Sequence, residues 1–473
     1  MTRKDTTGPV LAHVDANLDA ALDRLMALLR IPSISTDPAY ADACDRAAGW
    51  LVDDLAALGL EASKRPTPGH PMVVARGAAQ ADAPHLLFYG HYDVQPVDPL
   101  ELWTRDPFDP VVEQTPAGRI IRARGAADDK GQLMTFVEAC RSWLAVHGSL
   151  PVRLTVFLEG EEESGSPSLI PFLKENADEL RADVALICDT GMFDPETPAI
   201  CTMLRGLVGE EVTIRAADRD LHSGMYGGIA ANPIRVLSRI LAALHDDSGR
   251  VTLPGFYDAV PELPQEVAAQ WQALDFDAGG FLGAVGLGQP AGEAGRSGLE
   301  MIWSRPTCEI NGISGGYAGP GFKTVLPAEA RAKVSFRLTG QQDPETIRAA
   351  FRAHVQAMLP PDCTAEFHRH GGSPASQMNL AHPAFEAARA ALSDEWPRPA
   401  AFVGCGGSIP VAGCFQDILG MDSLLIGFGR DDDRLHSPNE KYDLESFHKG
   451  IRSWVRILAA IAASDARPGQ AGS

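Results

Sequence analysis

Five residues stand out by type and by position: His91, Asp128, Glu163, Asp189 and His436. Each comes shortly after a run of apolar residues. Leu86–Tyr89 leads into Gly90 and His91, with Asp93 two residues on. Ile120-Ile121-Arg122-Ala123 leads toward Asp128, Val152–Leu158 opens onto the acidic run 159–163, Val184–Cys188 opens onto Asp189, and Ser423–Phe428 is followed after a short loop by His436. Two imidazoles and three carboxylates gathered in one place would be a metal centre. Without cations the carboxylates would repel one another and their pKa values would rise. A mixed nitrogen and oxygen set suits two divalent ions of the zinc or manganese kind. One carboxylate must then serve both ions, because five protein ligands are few for two separate sites. Taken singly, each residue has a plainer explanation: Asp93 would cap a turn, and His436 would be a surface histidine.

What must bring them together is a sheet. In open α/β sheets, ligands collect at the carboxyl ends of the strands. Leu86–Tyr89 reads as a strand buried on both faces, which Gly90 stops. Leu18, Leu22, Leu25 and Leu29 mark a first helix ended by Pro32, and Trp50, Leu51, Leu55 and Leu58 mark a second with Gly59 at its end. A further helix runs through Leu133, Phe136, Val137, Cys140 and Leu144. Strands and helices alternate to about Gly206, which predicts a mixed, largely parallel α/β sheet with helices on both faces. The pattern then changes. An alternating strand at Val208–Ala216, a helix opened by Asn232-Pro233, strands near Cys308–Ile310 and Lys333–Leu338, a helix Pro344–Met358 and a strand Thr364–His368 make a β-α-β-β-α-β set. Residues 207–383 are therefore expected to be an inserted α+β domain, with 1–206 and 384–473 forming the first domain. The glycine-rich stretch between Gly279 and Gly298 follows no strand and is not a dinucleotide site.

At 473 residues the chain exceeds a single core. Its net charge of −21 offers no basic field for nucleic acid, and it disfavours anionic membranes equally. Eight scattered cysteines without a CxxC pair read as thiols of a reducing compartment. Met1–Gly8 lacks the apolar core of a signal peptide, and no apolar run is long enough to span a bilayer. The cytoplasm is the expected location.

Several stretches resemble the M20 metallopeptidase family, most closely its carnosinase-like cytosolic dipeptidases. They are Gly90-His91-Tyr92-Asp93-Val94-Gln95-Pro96, Arg124-Gly125-Ala126-Ala127-Asp128-Asp129-Lys130-Gly131, Glu159-Gly160-Glu161-Glu162-Glu163-Ser164-Gly165-Ser166 and His436-Ser437-Pro438-Asn439-Glu440-Lys441, together with Asp218–Gly224 and Gly406–Pro410. The resemblance implies that Asp128 bridges two ions, His91 and Asp189 completing one and Glu163 and His436 the other. It also implies that Asp93 orients His91, that Glu162 is the general base for a metal-bridging water, and that the Asp128–Asp129 peptide is cis. In the inserted domain, which the family uses as a lid and dimerisation domain, His222 would stabilise the oxyanion across a homodimer interface. Arg337 would hold the substrate's terminal carboxylate, and Thr324 and Ser408 would be further substrate contacts. Cys405 departs from the pattern, standing where an acid is expected before Gly-Gly-Ser, which bears on recognition of the substrate's amino end.

The expected activity is hydrolysis of the amide bond in a dipeptide or a related small amino-acid conjugate. An N-acyl amino-acid deacylase would use the same metals and base, so a free or a blocked α-amino group on the substrate separates the two. A catalytically silent binding or scaffold protein is the reading from another class. An intact Glu162 and a complete ligand set speak against it.

Overall fold

The computed structural model describes residues 6–77 and 83–464. The chain forms two compact units, one of Met1–Thr202, Met378–Val403 and Cys414–Ser473, the other of Met203–Gln377 and Gly404–Gly413. The bounds differ by a few residues from those expected. Gly404–Gly413, expected in the first domain, goes with the second unit instead.

In the first unit the strands run in the order Glu61–Arg65, Met72–Arg76, Arg153–Glu159, His85–His91, Val184–Ile187, Ser423–Leu425, Ala199–Leu204. The middle four are parallel, and the pairings beyond them on either side are antiparallel. The mixed α/β architecture with a parallel centre is thus as the alternation of elements predicts. Successive residues of a strand point to opposite faces, and here both faces are covered. Phe88 stacks on Phe136 at 3.8 Å and meets Trp454 edge-on at 6.2 Å, so the helices Lys130–His147 and Leu444–Ala463 cover one face. Its neighbour Tyr89 turns the other way, to Phe157 and Phe415, and Phe157 stacks on Phe172 of the helix Leu169–Glu175. These rings are fully or nearly fully buried, and removing one would cost about 3–5 kcal/mol.

Two strand ends differ from the sequence expectation. Gly90 does not stop its strand, which continues to His91. A glycine is needed there because a Cβ would lie 2.8 Å from the Asp129 carboxylate, which itself receives the His91 N–H. The last central strand ends at Leu425 rather than Phe428, and its continuation is held by single contacts such as Phe428 N–H to the Gln132 side chain.

The second unit holds an antiparallel sheet ordered Thr307–Gly315, Glu329–Leu338, Gly206–Arg215, Thr364–Ser373. With the helices Pro233–Ala242 and Pro344–Met358 this is the β-α-β-β-α-β set. Asn232 accepts hydrogen bonds from Ile234 N and Arg235 N, and Asp343 accepts from Thr346 N, so each helix starts on a side-chain cap. Along Glu329–Leu338 every second residue is buried, from Ala330 to Leu338, and this apolar face packs on Val236, Leu237, Ile240, Phe351 and Val355. Ser335 and Arg337 lie on the opposite face.

Candidate metal centre

Central parallel strands deliver His91, Glu163 and Asp189, whereas Asp128 follows Gly118–Arg122, a strand of a separate antiparallel sheet; the candidate ligands meet as two groups that share Asp128. One is His91, Asp128 and Asp189; the other is Asp128, Glu163 and His436. Asp128 presents one oxygen to each imidazole. Its Oδ1 lies 3.1 Å from His91 Nε2, and its Oδ2 lies 2.9 Å from His436 Nε2. Asp189 Oδ2 stands 3.9 Å from His91 Nε2, and Glu163 Oε2 stands 3.3 Å from His436 Nε2. The Asp128–Asp129 peptide is cis.

Two of the candidate ligands, His91 and Glu163, are held by neighbouring groups. His91 Nδ1 lies 3.1 Å from the Asp93 carbonyl and 3.4 Å from its carboxylate, so the ring carries a proton on Nδ1 and turns Nε2 inward. The other Asp93 oxygen accepts the Glu163 N–H at 3.0 Å, so one buried carboxylate sets two ligands. Gln95 Nε2 donates to Glu163 Oε2 at 2.7 Å. Among three successive acids, Glu161 is spent on the backbone, accepting from His70 N and Ser168 N. Glu163 belongs to the centre. The side chain of Glu162 between them makes no hydrogen bond or ion pair among the described residues.

Three groups escaped the sequence reading. Glu440, fully buried, accepts from Gly125 N, Ala127 N and Asp128 N and pairs with the equally buried Arg124 at 2.7 Å. It thereby ties the loop bearing Asp128 to the segment bearing His436. Lys130 opens the helix after Asp129, and its buried ammonium donates to Ile31 O at 2.7 Å and to Leu28 O at 3.3 Å. A third acidic trio, Asp432, Asp433 and Asp443, resembles a cation site, but the Lys441 ammonium sits among all three. The only hints in the sequence were that Lys130, Glu440 and Lys441 fall inside long motifs.

The electrostatics follow from crowding acids in a buried space. Burial pushes the Asp189 carboxyl well up, as do Asp128, Glu162 and Glu163 around it. Burial, Glu163 and Asp93 raise Glu162 as well. Asp128 is held low despite burial, because both imidazoles donate to it. Hydrogen bonds to Asp128 and Glu163 lift His436 to about 10. Protonated imidazoles thus supply the positive charge this cluster calls for. Divalent cations would supply it without protons, and the donor set of imidazole nitrogens and carboxylate oxygens fits them. Beside Asp128 and Asp189 lies a cavity of about 460 Å³, bounded also by Thr190, Arg430, Asp431, Arg434 and Leu435.

The remaining candidates lie in the second unit. His222 and Thr324 are brought together by a two-stranded ladder, Leu221–His222 with Val325–Leu326, in which Ser223 N donates to Thr324 O. The His222 ring is exposed, and its Nδ1 accepts from Gly224 N at 3.0 Å. Arg337 donates to the Ser408 hydroxyl at 3.1 Å. Cys405, in place of the expected acid, accepts from Gly407 N through its sulfur. No disulfide joins the eight cysteines. Among the described residues no helix is long and apolar enough to cross a membrane.

Known proteins resemble this chain over most of its length. The model of peptidase family M20/M25/M40 matches residues 87–460. A Cys-Gly metallodipeptidase of Schizosaccharomyces pombe is 30% identical over 468 residues, covering 95% of this chain and 98% of its own. A Beta-Ala-His dipeptidase of Rattus norvegicus is 29% identical over 404 residues, 84% of this chain and 80% of its own. The crystal structure of an M20 family metallo-carboxypeptidase from Sulfolobus solfataricus superposes with a TM-score of 0.80 at 31% identity, covering 94% of this chain and 99% of that one.

Proposed function

The chain belongs to peptidase family M20/M25/M40, and from that premise we propose that it hydrolyses the amide bond of dipeptides at a centre of two divalent metal ions, zinc or manganese. The observation that carries this reading is Asp128, whose two oxygens each face a different imidazole, with a second acid beside each one. His91, Asp128 and Asp189 would hold one ion, and Asp128, Glu163 and His436 the other. Such ions polarise a scissile carbonyl and make water acidic enough to attack at neutral pH.

The chain's own residues do the rest. Glu162 takes a proton from the attacking water and returns it to the leaving amine. Its carboxylate, with no side-chain partner among the described residues, is free for both halves of that task. Asp93 keeps His91 in the tautomer whose Nε2 is free to ligate. Arg337 holds the terminal carboxylate of the substrate, a contact to which a planar guanidinium is suited. His222 stabilises the oxyanion at the partner protomer's centre, which makes the working form a homodimer. The relatives support the dipeptide as substrate: one is named for Cys-Gly, another for Beta-Ala-His.

The test is a panel of dipeptides and N-acyl amino acids, assayed with zinc and with manganese, alongside metal analysis of protein purified without chelator. Two equivalents of metal and turnover of dipeptides with a free α-amino group are expected. Turnover of N-acyl amino acids alone would make the chain a deacylase, and a metal-free, inactive protein would overturn the proposal.

A further inference from the structure

Two arginines of the second unit face the same space with no acid between them. In the antiparallel register Leu207 lies opposite Arg337, and Leu338 lies opposite Gly206. Arg205, two residues before Leu207, is therefore the diagonal neighbour of Arg337 on the same face, the face turned away from the helices. Both are half-buried. Neither is ion-paired among the described residues, and Glu309 acts on Arg205 only from beyond ion-pair distance. Burial, and after it the Arg337 charge, bring Arg205 down to about 10.

The loop after Cys405 is fitted around this pair. Arg205 Nε donates to Gly406 O at 3.0 Å, and a Cβ at Gly406 would lie 2.9 Å from Arg205 Nη2, so the loop packs directly on the guanidinium. Ser408 stands between the arginines. Its hydroxyl donates to Arg205 O at 2.6 Å and accepts from Arg337 Nη1 at 3.1 Å. A serine hydroxyl has one proton to give, and here the backbone takes it. Ser408 thus has no donor left for a substrate carboxylate. Arg205 Nη2, by contrast, makes no hydrogen bond among the described residues.

We propose that Arg205 is a second cation of the substrate-carboxylate site, sharing the terminal carboxylate with Arg337, and that Ser408 is a positioning residue acting through Arg337. This rests on the reading of Arg337 given above. Two guanidiniums held together without a counter-ion repel, and an incoming carboxylate relieves that repulsion while accepting from both. Cys405 contributes by what it is not. A carboxylate at that position, close enough to act on Arg205, would compete with the substrate for it.

The experiment measures binding of the best dipeptide of the panel, and of its carboxyl-terminal amide, by calorimetry. The background is the metal-loaded Glu162→Gln protein, so that binding is read without turnover. Adding Arg205→Gln should cut the preference for free acid over amide about tenfold or more, the worth of a hydrogen bond to a charged group. Arg205→Lys should keep part of that preference. Ser408→Ala should lower it, yet add nothing further in an Arg337→Gln protein. Equal weakening of acid and amide by Arg205→Gln would make Arg205 a structural staple of the loop and overturn the proposal. A full additive loss from Ser408→Ala on top of Arg337→Gln would overturn the role of Ser408. Failure of the wild type to hydrolyse any dipeptide would instead overturn the proposed function, whatever the binding shows. Absence of binding by either peptide would overturn both.

Discussion

Replacing Glu440 by glutamine tests how the centre is held in shape. The carboxylate receives four donors: Arg124 Nη1 at 2.7 Å and Gly125 N at 3.0 Å on Oε2, and Ala127 N at 2.9 Å and Asp128 N at 3.2 Å on Oε1. Whichever oxygen becomes NH₂, a donor is turned against two donors, and Arg124 is left as a buried charge without its partner. Breaking a buried pair in this way costs about 3–5 kcal/mol. Because the Asp128 amide is among the lost partners, metal affinity should also fall, by about 10–100-fold as for other groups that orient a ligand. Urea unfolding followed by tryptophan fluorescence gives the first quantity, and competition with a metal-binding dye gives the second. In the double variant Arg124→Met/Glu440→Gln the stranded charge is gone, so its destabilisation should be less than the sum of the single changes by about 2 kcal/mol. A Glu440→Gln protein within about 1 kcal/mol of the wild type, binding both metals unchanged, would refute this account.

Glu162→Gln should retain both metals while kcat falls about 10²–10⁴-fold, whereas Glu163→Gln should lose metal; metal loss by both would make Glu162 a ligand. Burial lifts Glu159 to about 7, although Tyr89 donates to it at 2.7 Å. Its folded pKa exceeds the ordinary 4.5, so protonation stabilises the fold in full below pH 4.5, and that contribution is lost as pH rises through 7. Between pH 4.5 and 8 the wild type should therefore lose about 3 kcal/mol relative to Glu159→Gln, read from urea midpoints; parallel curves would contradict the shift. If His222 acts across a dimer, mixing inactive Glu162→Ala and His222→Ala chains gives mixed dimers with one whole site in two. At half mixed dimers, about a quarter of the wild-type activity should return, and demonstrated exchange without recovery would exclude the trans role.

The site was legible where chemistry and strand pattern coincide. His91 and Asp189 come directly after apolar runs, and parallel strands bring such ends together whatever the intervening length. Glu163 was harder, because in a run of acids the strand pattern does not say which one is a ligand. Glu161, Glu162 and Glu163 are separated by what the backbone around them offers, the amides of His70 and Ser168 claiming Glu161. Glu440 was missed for a related reason. Its partners are main-chain N–H groups more than three hundred residues away, and main-chain groups leave no mark on a sequence. The early end of the Ser423–Leu425 strand was hidden as well, since Ile426 and Phe428 are buried and apolar like true strand residues. The passage of Gly404–Gly413 into the second unit rests on contacts such as Arg205 to Gly406, which no local pattern announces.

Lys441 has a consequence of its own. A cation tethered to the chain has a fixed local concentration, which neither dialysis nor a chelator can dilute. The Lys441 ammonium therefore always has its one positive charge shared among the Asp432, Asp433 and Asp443 carboxylates, and the bend that carries His436 keeps its brace when exchangeable ions are stripped away. Half of the centre's frame would be waiting in place for returning ions, so that reloading need not begin with refolding.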